Sequence, residues 1–133
     1  MALGYSDTPL AKKLGFKPGY SVLLINEPVH YLDLFADLPE QINWHPEGSI
    51  DIIHLFTLSS KEYIAMLPEL RDRINKSGMI WVSWPKKSSK LNSDMDENIV
   101  RDTALALGLV DIKVCSVDEV WSGLKLVWRK ENR

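Results

Sequence analysis

The chain has 133 residues, 45% of them apolar and 26% charged, with a formal net charge of -2. That is the size and make-up of one globular domain with room for a core of its own. The charge balance gives no electrostatic reason to bind nucleic acid or an anionic membrane, and no apolar run approaches the ~20 residues that span a bilayer.

Residues 8–15 (TPLAKKLG) predict a short helix, with Thr8 as its cap, Pro9 in its first turn and Gly15 as its stop. Residues 21–26 (SVLLIN) form a continuous apolar run, the pattern of a strand covered on both faces. Tyr31, Leu34, Phe35 and Leu38 then recur at helical spacing, which predicts a helix over 30–38. Residues 41–44 suit a short edge strand. Residues 50–56 (IDIIHLF) are a second buried strand. Ser59 and Glu62 have capping-box spacing ahead of a helix with Tyr63, Ile64, Leu67, Leu70 and Ile74 on its core side. Pro68 interrupts that helix, so a kink or two short helices are expected. Gly78 closes it, and residues 79–84 (MIWVSW) are the third strand.

A lysine-serine loop follows. Asp94 and Glu97 again have capping spacing, and a helix is expected over 95–107 with Gly108 as its stop. Residues 110–117 alternate apolar and polar at first, as a half-exposed or edge strand does. Residues 118–123 link them to a last strand over 124–129. That link is too short for a parallel crossover, so the final pair is antiparallel. The lone cysteine, Cys115, allows no internal disulfide and points to a reducing compartment. The first residues lack the basic-then-apolar pattern of a secretion signal, so a cytoplasmic protein of one domain over 1–133 is expected.

Three stretches carry a resemblance. Residues 6–15 (SDTPLAKKLG), 81–87 (WVSWPKK) and 117–127 (VDEVWSGLKLV) resemble a bacterial family of unknown function across nearly the whole chain. More distantly, the element order is similar to that of class I methyltransferases. The resemblance implies an α/β fold: an open three-layer α/β/α Rossmann-like sheet, mostly parallel, with a C-terminal antiparallel hairpin. With the strands lettered A to E in chain order, it implies the spatial order A-B-C-E-D. Right-handed crossovers are the default. A methyltransferase follows its first strand with a glycine-rich loop, where glycine takes positive φ and lets the backbone approach the cofactor. Here that stretch is INEPVHY, residues 25–31, without a glycine. Too few residues separate Leu38 from Ile50 for a further strand-helix-strand unit. No cofactor is therefore expected.

Ligands of open α/β sheets bind beyond the C-terminal ends of the strands. Those ends offer Asn26, Glu27, Ser59, Trp84, Lys86, Lys87 and Lys90. Trp84 suits stacking on a planar ligand, the lysines suit a phosphate or carboxylate, and Glu27 suits a hydroxyl. The plainer alternative packs Trp81 and Trp84 on helices and leaves the lysines to solvate a loop. Asp118, Glu119, Trp121 and Ser122 line either a pocket, a partner surface or a hairpin turn. An antiparallel last strand starts beside the end of the third, which makes Trp121 and Lys86 neighbours. His54 reads as a satisfied core histidine, Cys115 as a packed thiol sharing a face with Lys113, and the three histidines form no metal-ligand pattern. The favoured reading is a non-catalytic module of methyltransferase-like fold that binds a protein partner or a small anionic ligand. The alternative is a small enzyme using Glu27, Lys86, Lys87 and Ser122 on a phosphorylated or carboxylated metabolite. A structural subunit with an apolar patch near Trp121 or Trp128 is a third.

Overall fold

The computed structural model describes residues 8–133. Ser6 of the first motif, and the opening residues of the stretch read as lacking a secretion signal, lie outside the described residues. Five strands form one sheet: β1 (Val22–Ile25), β2 (Ile50–Phe56), β3 (Ile74–Pro85), β4 (Leu109–Ser116) and β5 (Trp121–Trp128). Their spatial order is β1-β2-β3-β5-β4. β1, β2 and β3 are parallel, and β5 runs antiparallel to both β3 and β4. This is the order that the resemblance to class I methyltransferases implies, and the fold is a methyltransferase-like Rossmann sheet.

Three helices accompany the strands: α1 (Leu10–Leu14), α2 (Ser60–Arg73) and α3 (Glu97–Ala106). Side chains alternate across each strand, so each face of the sheet collects its own core. On one face Ile53, Leu55, Ile80, Val82, Leu124 and Leu126 meet Tyr63, Leu67 and Leu70 of α2 and Val100 and Ala104 of α3. Burying one such large apolar side chain is worth roughly 1.5–3 kcal/mol. On the other face Val22, Ile52, Trp81 and Cys115 meet Ala11 and Leu14 of α1, together with Phe16, Phe35, Leu38 and Trp44 from irregular chain. The Trp81 indole N–H donates to the Leu14 carbonyl at 2.9 Å and ties α1 to the sheet.

Several local expectations change. The helix expected over 30–38 is a single 3-10 turn, Tyr31–Leu34. Its apolar residues are buried by a loop that needs no full helix to place them. The edge strand at 41–44 reduces to one parallel bridge, Ser21 with Asn43. Thr8 does not hold the cap position of α1: Pro9 does, and Asp37 accepts from the backbone N–H of Ala11 and Lys12 at 3.2 and 3.3 Å. Gly15 ends the helix in the left-handed region, φ 87°, as its type allows.

Ser59 caps α2 by accepting from the Glu62 N–H, but Glu62 turns away to Asn26, so the capping box is half formed. α2 runs unbroken through Pro68 rather than splitting in two. Gly78 lies inside β3 instead of closing the helix. A Cβ there would stand 2.9 Å from the Asp51 carbonyl oxygen, so a side chain would push β3 off β2. Asp96, not Asp94, caps α3, accepting from the Ile99 N–H at 2.8 Å. Asp94 instead accepts from the Ser60 N–H and hydroxyl at 2.7 and 2.6 Å. β5 begins at Trp121, three residues earlier than expected, which shortens the β4–β5 link to a tight turn.

The connections differ in side as well as length. α2, which joins β2 to β3, packs on the first face; the chain joining β1 to β2 packs on the second. Both steps move the same way across the sheet. Connections on opposite faces then have opposite hands, so the default of right-handed crossovers fails for one of them. The functional consequence is a crevice, because the chain leaves the ends of β1 and β2 in opposite directions.

Candidate functional site

The crevice has a volume of about 350 Å3 and is lined by Asn26 after β1, by Phe56, Thr57 and Ser59 at the end of β2, by Glu62 of α2 and by Trp121 of β5. Asn26 has φ 59°. The left-handed turn that the glycine-poor sequence spoke against is therefore made, with asparagine in glycine's place. The Asn26 amide donates to the Glu62 carboxylate at 3.1 Å. The Thr57 hydroxyl accepts from the Ser59 N–H and donates to the Ser59 carbonyl, both at 3.2 Å. Trp121 stands edge-on to Phe56, ring centroids 5.1 Å apart.

Beneath them lies a buried polar chain. The Tyr31 hydroxyl is 2.9 Å from His54 Nδ1, and His54 Nε2 is 2.8 Å from the Ser83 hydroxyl. Burial lowers the His54 pKa to about 3, so the ring is neutral, and it pushes the Tyr31 phenol well above its ordinary value. His54 is the satisfied core histidine that the sequence suggested.

A second and larger cavity, about 710 Å3, opens between α1 and the β4–β5 pair. Lys12 and Lys13 of α1, Lys86 after β3 and Lys113 of β4 line it, with Cys115, Ser116 and Ser122 on the sheet side. No acidic side chain is among the described lining residues. Lys86 Nζ donates to the Ser116 hydroxyl at 2.6 Å and to the Asp118 carbonyl at 2.7 Å; Lys13 Nζ donates to the Ser116 carbonyl at 3.3 Å. Two pKa shifts here have burial as their main cause and nearby lysines as a lesser one. Burial pushes the Cys115 thiol up, against the opposing pull of Lys13, Lys113 and Lys86. Burial pushes Lys125 down, and Lys113, its cross-strand neighbour, pushes it the same way.

The residues singled out from the sequence divide between these places. Asn26, Ser59 and Trp121 come together in the crevice. Lys86 and Ser122 come together in the lysine-lined cavity. Trp121 and Lys86 are neighbours as expected: Trp121 pairs with Pro85, and the Lys86 N–H donates to the Val120 carbonyl at 2.7 Å. Trp84 is 8% exposed and belongs to the helix-side core, so it stacks on no ligand. Lys87 and Lys90 are exposed around the 3-10 turn Lys87–Ser89 and line neither cavity. Glu27 lines a different hollow, with Leu24, Pro28 and Trp44. Among the described cavities Glu27 and Lys86 therefore line different ones, and these cavities give the small-enzyme alternative no convergence of the two.

Asp118 holds the hairpin turn, accepting from the Val120 and Trp121 N–H groups at 2.8 Å each, while its other oxygen lies 3.3 Å from His30 Nε2. Glu119 is exposed on that turn. Lys12 and Lys13 are no site candidates on the sequence, and Glu62 reads there only as a capping residue. Lys113 was noticed through Cys115, and the two do line one cavity. Nothing local marks Lys12 and Lys13, which meet Lys86 across more than seventy positions of chain. Among the described residues no group of three or more His, Cys, Asp or Glu side chains is placed to hold a metal, and no helix is long and apolar enough to cross a membrane.

No family model and no curated protein matches the sequence. The motif resemblance to a bacterial family of unknown function therefore rests on those motifs alone. Solved structures do match. A SAM-dependent methyltransferase from Aquifex aeolicus aligns with TM-score 0.61 and 15% identity over 88% of this chain and 86% of its own. The ribosomal protein L11 methylase of Lactobacillus delbrueckii subsp. bulgaricus gives TM-score 0.58 and 12% identity over 90% and 75%. Mitomycin 7-O-methyltransferase gives TM-score 0.60 and 8% identity over 84% of this chain, which spans 49% of that enzyme's length. At such identities the likeness is one of fold, and the fold of this chain is that of the class I SAM-dependent methyltransferases.

Proposed function

We infer that the chain is a non-catalytic module of methyltransferase-like fold that binds a small anionic ligand in the lysine-lined cavity, in a reducing, cytoplasmic setting. The observation that carries this reading is the gathering of Lys12, Lys13 and Lys113, with Lys86 beside them, around about 710 Å3. Convergent like charges raise the local potential, and an anion relieves it. The crevice at the ends of β1 and β2 is the weaker candidate for an anion, because Glu62 brings a negative charge into it.

A non-catalytic role is supported by what lines the cavity. Neither a histidine nor a carboxylate is among its described lining residues, so among these no such general base stands beside the Cys115 thiol or the Ser122 hydroxyl. Burial also favours the thiol over the thiolate.

The test is calorimetric titration with pyrophosphate and with citrate at low salt. Both bind, the affinity falls as salt is added, and Lys113→Ala or Lys12→Ala weakens it by about tenfold. Equal affinity in the Lys113→Ala variant, or no heat at millimolar anion, overturns the reading.

A further inference from the structure

β4 is the outer strand of the sheet, and among the described residues no strand pairs with its far side. Such an edge carries a row of backbone donors and acceptors that template a further strand. Two features guard it. The pairing with β5 shifts register between Asp111 and Lys113, so the strand carries a bulge at Ile112, and Lys113 puts a charge on the edge immediately after it. Beyond the bulge, Lys113 to Ser116 pair in unbroken register with Lys125 to Ser122. The same four residues line the lysine-rich cavity, with Lys12 and Lys13 of α1 overhanging them. Ile112 and Val114 are 53% and 52% exposed.

We propose that the edge of β4 from Lys113 to Ser116 takes up an extended acidic peptide as a sixth strand, its carboxylates meeting Lys12, Lys13 and Lys113. This rests on the anion-binding reading and names the ligand class for the same cavity. Three observations select that occupant. An edge that no described strand covers, with only the Ser116 carbonyl taken by Lys13, suits a ligand with a backbone, since main-chain pairing gives affinity and alternate side chains give specificity. Successive side chains of a strand point to opposite faces, so an alternating acidic and apolar peptide sets carboxylates toward the lysines and apolar groups toward Val114. The lysines also exclude the other obvious occupant. A second copy pairing edge to edge would set its own Lys113 and α1 lysines against these, and like charges across a strand pair are unfavourable. The guarding charge that blocks indiscriminate strand pairing thereby becomes the group that admits an acidic partner.

The probe is acetyl-Glu-Val-Glu-Val-Glu-amide, compared with the same peptide N-methylated at alternate amides, with its lysine-for-glutamate counterpart and with citrate. The glutamate peptide is expected to bind the protein, to slow hydrogen exchange by about tenfold or more at those amides from Lys113 to Ser116 that face away from β5, and to lose about tenfold in affinity on N-methylation or in the Lys113→Glu variant. The lysine peptide is expected not to bind. If the N-methylated peptide and citrate match the glutamate peptide, strand addition is wrong while anion binding stands. If citrate and both glutamate peptides fail, both readings fall. Dimerisation of the protein alone, with exchange slowed at the same amides, overturns the peptide proposal in favour of a second copy.

Discussion

His54 sits with both ring nitrogens engaged and no exposed surface. Its unfolded counterpart takes a proton near pH 6.5, whereas the buried ring refuses one until about 3. The stability it contributes is therefore complete above pH 6.5 and is lost as pH falls through that window, by about 1.4 kcal/mol per unit. Thermal unfolding of the wild type between about pH 6 and pH 5 should show this slope, and His54→Gln, which keeps a donor and an acceptor but cannot titrate, should lose it. Parallel slopes would contradict a neutral buried imidazole. That His54 is a core histidine was legible, because it stands within an apolar strand run. That Tyr31 and Ser83 are its partners was not, since Tyr31 belongs to a loop whose path depends on packing. Asn26 shows the converse. The missing glycine speaks on the sequence against a cofactor loop, yet asparagine tolerates the positive φ that such a loop takes after β1.

At the scale of elements, α2 keeps a residue that works against it. Pro68 has no N–H to give the Ile64 carbonyl four residues back, a defect worth ~3 kcal/mol in an exposed helix interior. The helix persists because Tyr63, Leu67 and Leu70 are buried on the sheet, and tertiary packing outweighs local propensity. Pro68→Ala should restore the bond. Allowing for the freer unfolded chain, the gain should be about 1–2 kcal/mol, read as a higher urea midpoint at unchanged slope. An unchanged or lower midpoint would mean that the proline is required by its surroundings. The buried strands were the most legible elements, because continuous apolar runs between turn residues have few other uses. The segment from 30 to 44 was the least legible. Its apolar spacing fits a helix, but what it covers is the second face of the sheet beside a helix of five residues, and a loop with one 3-10 turn does that.

For the whole molecule, the question is what a methyltransferase-like sheet does when β1 is its outermost strand and the chain from β1 to β2 holds no further strand among the described residues. The crevice that remains is about 350 Å3, near the lower limit for small-molecule sites. S-adenosylmethionine at about 1 mM should accordingly leave the melting temperature unchanged. A ligand at 100 times its dissociation constant would add about 2.7 kcal/mol, which is several degrees for a domain of this size. A clear upward shift would restore cofactor binding as the molecule's business. The charge of the whole chain gave no hint of the lysine-lined cavity. A net charge of -2 sums over the surface, whereas the potential in a cleft depends on which charges converge there.

The amino-acid sequence determined the five main strands, the antiparallel hairpin and the helix stops at Gly15 and Gly108, while the order of the strands in the sheet came from the resemblance to class I methyltransferases. The strands, hairpin and stops follow from local pattern and from the short link between the last two strands, and such information lies within a few neighbouring residues. Tertiary structure alone decided that Trp84 is core, that Glu27 and Lys86 part company, and that α1 carries two lysines to the edge of β4. Each of those outcomes depends on which face a connection crosses, and a face is chosen by the packing of segments far apart in the chain.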